Sequence, residues 1–300
     1  MAGKILVVGS SNTDMVVRTK TFPQPGETVL GGTFMMHPGG KGANQAVAAA
    51  RLGGAVRFVA RLGDDIFGTQ ALEGFIKEEL DVRFTTRSSD FASGVALITV
   101  NEYGENEIVV ASGANMDFKP ADLPDEVFND VTLVLIQLEI PLATIAYIID
   151  KCTALGIKVI LNPAPAAPLN DALLSQLFLI TPNETETEAL TGIMPNDLKS
   201  LKKAAQALRN KGIRNVIITL GKRGIYLLND EHDMIIPAPE VVPVDTTAAG
   251  DVFNGAIATA LTNGESWISA CEFACLAAAI SVTRPGAQSS APYTSEILKS

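Results

Sequence analysis

Short apolar runs alternate along the chain with longer stretches whose apolar positions recur at helical spacing. Ile5–Val8, Val56–Ala60, Leu133–Ile136, Lys158–Leu161, Leu177–Ile180 and Val216–Thr219 read as strands. Leu133–Ile136 is apolar throughout, as expected for a strand covered on both faces. Lys41–Leu52, Phe67–Glu78 and Leu142–Ala154 read as helices, the last ended by Gly156. Leu198, Leu201, Ala205 and Leu208 share one helical face, with Gly212 placed to end that helix. This alternation predicts an α/β fold, a three-layer sandwich with a mostly parallel central sheet between helices.

Two segments break the alternation. Residues 14–37 hold Val16-Val17, Thr28-Val29 and Phe34–Met36 between Pro- and Gly-rich turns, with no helix. Residues 93–111 hold Val95–Val100 and Ile108–Ala111 around the turn Asn101–Asn106, the pattern of a hairpin. Together they predict a small β-sheet built from two separated segments. It is mounted on a body formed by residues 1–13, 38–92 and 112–300. A sheet of a few strands with little core is not stable alone, so it must lie on the body, on a ligand or on a second subunit. There is no internal repeat, and the Pro-rich stretch Asn162–Pro168 reads as a loop leaving a strand end.

Composition narrows the classes. With 47% hydrophobic and 19% charged residues, the 300-residue chain is globular rather than disordered. Its 23 Lys and Arg against 33 Asp and Glu give a net charge of −10. That balance offers no general attraction for nucleic acid or an anionic membrane, so any phosphate must be held by local groups. Three cysteines, Cys152, Cys271 and Cys275, form no CxxC pair, which argues against a disulfide scaffold or a zinc ribbon and fits a reducing compartment. Cys271 and Cys275 read as small buried residues of one helix. No apolar run reaches the ~18 residues of a membrane span. The run after Lys4 is too short for a signal peptide, so the expected location is the cytoplasm. Only His37 and His232 exist, too few for a His-rich metal site and a poor basis for a Ser-His-Asp triad; His232 sits in a turn-like run.

Four stretches carry candidate chemistry. Asp245–Asp251 (DTTAAGD) places small residues and a glycine before an apolar helical run, exposing backbone N–H groups and a positive helix end that suit an anion. Asp251 there is either a first-turn acid or cap, or a carboxylate placed to take a proton from an attacking hydroxyl. Pro38–Ala46 (PGGKGANQA) puts three glycines before a helix start bearing Lys41 and Asn44, either a plain turn or a close approach of backbone to ligand. Asn183 and Glu186 share a face at a helix start, either as a capping box or as oxygen ligands near a hydrated Mg²⁺. Thr219–Gly224 is a Gly-bearing turn between strands. Neither the P-loop nor the dinucleotide fingerprint is present. All four stretches fall at strand ends, where open α/β sheets bind ligands.

Gly39–Ala46 and Asp245–Gly255 resemble the two signatures of the ribokinase-like carbohydrate kinases, and the resemblance runs from Gly9–Asp14 to Gly286–Ser290. Asn12-Thr13-Asp14 and Leu138-Glu139 resemble the branch that phosphorylates ribose. The resemblance implies transfer of a phosphoryl group from ATP to a sugar's primary hydroxyl. By it, Asp251 is the base, and the backbone N–H groups of Ala248, Ala249 and Gly250 form the anion hole. Asn12, Thr13, Asp14, Gly40, Lys41, Asn44 and Glu139 fall to the sugar site. Asn183, Thr219, Gly221, Gly224, Gly250 and Cys275 fall to the nucleotide, and Glu186 to the Mg²⁺ region. Asp245, Thr247, Ser281, Arg284, Gly286 and Ser290 match positions that enclose a monovalent cation, usually K⁺. The small sheet matches the family's lid, which also pairs two subunits into a homodimer. Cys275 departs from the pattern, standing where relatives often carry a polar residue near the adenine.

Two other readings stay open. One changes the sugar to deoxyribose, fructose or a nucleoside. Lys41 is the sole cation among the sugar-site candidates, which disfavours a sugar that already bears a phosphate, and four tyrosines and one tryptophan give little to clamp a nucleobase. The other is a non-catalytic sugar sensor, which has no need of Asp251.

Overall fold

The computed structural model describes residues 3–298; residues 1, 2, 299 and 300 of the expected body lie outside the described residues. The first strand, β1 (Lys4–Val8), is followed by β2 (Asn12–Arg18), β3 (Thr33–Gly39) and the first helix, α1 (Lys41–Arg51). Next come β4 (Val56–Val59), β5 (Arg61–Gly63), α2 (Ile66–Lys77), β6 (Thr86–Ser88), β7 (Gly94–Val100) and β8 (Asn106–Ala111). The alternation continues through β9 (Val131–Ile136), α3 (Leu142–Leu155), β10 (Lys158–Leu161), the short α4 (Asp171–Leu174), β11 (Leu179–Ile180), α5 (Glu184–Thr191), α6 (Leu198–Asn210) and β12 (Asn215–Thr219). It closes with β13 (Ile225–Leu228), β14 (Asp233–Ile236), α7 (Ala249–Thr262), α8 (Trp267–Ser281) and α9 (Thr294–Ile297).

Eight of these strands form the central sheet, in the order β14-β13-β12-β11-β10-β9-β1-β4. From β12 to β4 every pairing is parallel, and β13 and β14 add an antiparallel edge. Strand periodicity sorts the core into two layers. Ile5, Val7, Leu133, Leu135 and Ile217 pack under α1, α7 and α8. Leu6, Val8, Val134, Ile136 and Ile218 pack under α3 and α6. The sandwich expected from the alternation is therefore present. Helix ends follow local chemistry: Gly156 closes α3 in the left-handed conformation, and Asp197 caps α6 through the Ser200 N–H.

The second sheet, ordered β3-β2-β7-β8, joins the two segments that break the alternation. β2 pairs antiparallel with β3 and parallel with β7, setting Asn12 opposite both Gly39 and Gly94. Thr28-Val29, expected with the strand-like runs, forms no strand. It lies among Pro and Gly residues, with Gly31 and Gly32 at φ 86° and 141°, and finds no partner to pair with. β11 is also shorter than expected. The Leu177 N–H turns back to the Leu174 carbonyl at 3.1 Å, and pairing starts at Leu179.

Five loops that reach the site leave the carboxyl ends of the parallel strands: Gly9–Ser11 after β1, Gln137–Glu139 after β9, Asn162 after β10, Thr181–Asn183 after β11 and Leu220–Gly224 after β12. α1 starts against the first of these loops. A Cβ on Gly42 would stand 2.6 Å from the Gly9 carbonyl carbon and from the Ser10 nitrogen, so a side chain there would push the helix off β1.

Candidate active site

α7 opens on Ala248, whose φ of 59° is left-handed and costs a non-glycine residue on the order of 1 kcal/mol. The Ala249 N–H reaches the Thr246 carbonyl at 3.3 Å, while those of Ala248 and Gly250 meet no acceptor among the described residues. Asp251 follows in the first turn. It is a first-turn acid but not a solvated one: it is only 6% exposed. Its Oδ2 accepts from Asn44 Nδ2 and its Oδ1 from Gln45 Nε2, both at 2.9 Å. Burial raises the carboxyl's pKa, opposed by the Lys41 charge and by those two amides.

Around it gathers an acidic cluster with one cation. Burial pushes Asp14 up to about 6, reinforced by the charges of Glu139 and Asp251 and opposed by Lys41. Burial opposes the Lys41 charge, yet Asp251, Glu139, Glu186 and Asp14 together hold its ammonium above the ordinary lysine range. Glu139 Oε2 accepts from the Ser10 hydroxyl at 2.6 Å and from the Lys41 backbone N–H at 3.1 Å, tying the β9 loop to the start of α1. Gly40 supplies the turn into α1 at φ 89°. Asn12 Oδ1 accepts from the buried Asn115 Nδ2 at 2.8 Å, which leaves the Asn12 amide nitrogen to donate elsewhere. Thr13, next along β2, lines a second cavity of 330 Å³ together with Asn12, His37 and Pro38.

A larger cavity of 1010 Å³ adjoins the start of α7 and has the size of a small-molecule site. Asn183, Thr219, Gly221, Gly224, Ala249, Gly250 and Cys275 all line it. Burial pushes the Cys275 thiol up to about 12, so it is a packing atom there and not a nucleophile. Phe253, Val241, Pro243 and Ala279, apolar walls of the same cavity, carried no signal in the sequence beyond their hydrophobicity. Glu186 is not on the wall. The Asn183–Glu186 pair is a capping box: the Asn183 N–H donates to Glu186 Oε2 and the Glu186 N–H to Asn183 Oδ1, each at 2.8 Å. Among the described residues no group of three or more His, Cys, Asp or Glu is placed to hold a metal ion.

The segments bearing Asp245–Thr247 and Ser281–Ser290 are laced together. Asp245 accepts from the Thr247 and Gly286 N–H groups, each at 2.9 Å. Burial opposes its charge, but these bonds hold the carboxyl below its usual range. The Arg284 guanidinium donates to the Ser290 carbonyl at 2.9 Å, and the Arg284 N–H to the Ser281 carbonyl at 3.3 Å. The carbonyl oxygens of Asp245, Thr247, Arg284 and Gly286 accept no hydrogen bond from the described residues.

Sequence reading missed the polar residues beneath the site: Ser10, Gln45, Asn115, Gln137, Asn162, Thr181 and Asn254 are all buried. The one available signal was Gln45, a second polar residue after Asn44 at the head of the small apolar run Ala46–Ala50 of α1.

The sequence matches the pfkB family carbohydrate kinases over residues 2–294. It is 43% identical to a ribokinase of Haemophilus influenzae, covering 100% of this chain and 98% of that one. It is 37% identical to a deoxyribokinase of Salmonella typhi, covering 96% and 95%. The fold is similar to that of Arabidopsis thaliana ribokinase complexed with ribose and ATP, with a TM-score of 0.94 at 32% identity and coverage of 100% and 98%. The chain belongs to the pfkB family of carbohydrate kinases. It is an enzyme, an ATP-dependent sugar kinase.

Proposed function

We propose that this chain transfers the γ-phosphoryl group of ATP to O5 of D-ribose, giving D-ribose 5-phosphate and ADP. The observation that carries the reading is Asp251, a buried carboxylate that feels the charges of Asp14 and Lys41 and sits on the first turn of α7, whose neighbouring Ala249, Gly250 and Phe253 line the larger cavity. Resemblance to ribokinases at 43% and 32% identity supports ribose as the sugar. Asp251 takes the proton of the sugar hydroxyl as O5 attacks phosphorus, and the bond from phosphorus to the ADP oxygen breaks. N–H groups of Ala248, Ala249 and Gly250 and the positive end of α7 face the charge on the transferred group. Asp14, Lys41, Asn44, Glu139, Gly40 and Asn12 hold the sugar hydroxyls. Asn183, the Thr219–Gly224 turn and Cys275 contact the nucleotide.

Mg²⁺ would neutralise the nucleotide phosphates. Buried Glu186, with both carboxylate oxygens already on Asn183, suits a role behind the waters of a hydrated ion rather than direct ligation. The carbonyls of Asp245, Thr247, Arg284 and Gly286, free of internal hydrogen bonds, suit a monovalent cation such as K⁺, with Ser281 and Ser290 beside them. A cation there would steady the loop that leads into α7. In this reading residues 14–37 and 93–111 act as a lid that excludes water, so that ATP is not hydrolysed. Exposed Phe34, Leu97, Ile108 and Val109 on the small sheet support pairing of two copies through it. A cytoplasmic setting fits the three free cysteines, and no described helix is long and apolar enough to cross a membrane.

A coupled ADP-release assay over ribose, 2-deoxyribose, fructose and a nucleoside, with K⁺ or Na⁺, tests the reading. Ribose should turn over fastest and K⁺ should stimulate. Asp251→Ala should lower turnover by about 10²–10⁴. Near-normal turnover in that variant would overturn the assignment of the base. Preference for 2-deoxyribose would favour the reading that the Salmonella typhi relative suggests. No release of ADP with any of these sugars would overturn the reading.

A further inference from the structure

Beneath Asp251 lies a chain of buried amides that the reaction as described does not use. Gln45 and Gln137 are 0% exposed, and Asn162, Thr181 and Asn254 are buried. Gln45 Nε2 spends one hydrogen on Asp251 Oδ1 at 2.9 Å and the other on Asn162 Oδ1 at 3.0 Å. Its Oε1 accepts from Gln137 Nε2 at 2.6 Å. A flipped Gln45 amide would set an oxygen against the two acceptors and a nitrogen against the Gln137 donor, so its neighbours decide which end meets Asp251. The chain runs on. Asn162 Nδ2 donates to the Thr181 carbonyl at 3.2 Å, the Thr181 hydroxyl to Asn254 Oδ1 at 2.6 Å, and Asn254 Nδ2 to the Gly250 carbonyl at 2.8 Å. Asp251 and the first turn of α7 are thus held by one network that starts on α1 and on the loops after β9, β10 and β11.

We propose that Gln45 is a positioning residue for phosphoryl transfer: its side-chain amide, oriented by Gln137 and Asn162, aims the Asp251 carboxylate at the sugar hydroxyl. The inference rests on Asp251 being the base. A carboxylate on a two-bond side chain can rotate about χ2, and a fixed donor on each oxygen removes that freedom before substrate arrives. Asn44 holds Oδ2 and Gln45 holds Oδ1, so neither oxygen is free to swing away.

Gln45→Met and Gln137→Met test it, read by kcat, KM for ribose, the pH profile of kcat and ADP binding by calorimetry. Gln45→Met should lower kcat about ten- to a hundredfold with KM within about threefold of the parent. Its acid limb should move to higher pH, because a donor to the carboxylate is gone while Lys41, Asp14, Glu139 and Glu186 around it are unchanged. Gln137→Met, in which Asp251 keeps all its own bonds, should show a smaller loss of kcat with the same pattern. A kcat within twofold of the parent in both variants would overturn the proposal. So would losses shared equally by KM and ADP binding, which would mark general packing damage. If Gln45→Met binds no ADP, Gln137→Met decides alone. Failure of the base assignment is separate: there Asp251→Asn itself would keep its turnover.

Discussion

Asn44 Nδ2 stands 2.9 Å from Asp251 Oδ2, joining α1 to α7 across 207 positions of sequence. The other end of the same amide, Oδ1, is buried and has no partner among the described residues. One side chain therefore faces Asp251 with its donor and keeps a buried, unpartnered acceptor, which on the proposed reading takes a sugar hydroxyl. Hydrogen bonds to charged groups are worth about 1.5–3 kcal/mol. Asn44→Ala should then lower kcat/KM for ribose by about 10- to 150-fold, with kcat and KM both affected. Steady-state kinetics against ribose would check this, and a change confined to KM would place Asn44 in binding alone.

Asp14 links activity to pH and to stability. With its carboxyl at about 6, and Asp14 holding sugar hydroxyls as proposed, kcat/KM for the sugar should fall as pH drops through that value and the charge is lost. Stability should move the opposite way. A carboxyl raised from 3.8 to about 6 on folding binds more protons in the folded state, so stability falls as pH rises across that window and stays lower at neutral pH. Asp14→Asn should thus stabilise the protein at pH 7, by about 1–3 kcal/mol and a few degrees of Tm, while impairing sugar binding. Calorimetric melting at pH 4 and pH 7 reads the sign directly.

Gly42 is a packing test of the site's floor. Gly42→Ala brings a Cβ within 2.6 Å of backbone at both Gly9 and Ser10, neither of which can rotate away. Overpacking of this kind costs about 1–3 kcal/mol. Because α1 carries Lys41, Asn44 and Gln45, kcat should fall together with stability. A variant with the parent's Tm and kcat would mean that the helix start has room to move.

Much of the fold was legible because its causes are local. Buried strands are apolar runs, amphipathic helices show their spacing, Gly156 ends α3 in a left-handed turn, and the Asn183–Glu186 box is a three-residue pattern. Both signatures of the family are likewise contiguous stretches whose glycines and small residues act on neighbouring backbone. Thr28-Val29 marks the limit of such reasoning: its apolar character is strand-like, but a strand needs a partner, and Pro and Gly on either side leave none.

Tertiary structure alone decided which polar side chains meet. Gln45 reaches Asp251 across 206 positions and Asn162 across 117, and Glu139 reaches Ser10 across 129. No periodicity announces such pairs, because each is set by strand order and by the angle at which α1 meets α7. By itself the sequence determined the layers, the helix ends and the two glycine-rich stretches. Only the assembled sheet turned them into an environment, since burial, crowded carboxylates and oriented amides exist only once distant segments share one dry space.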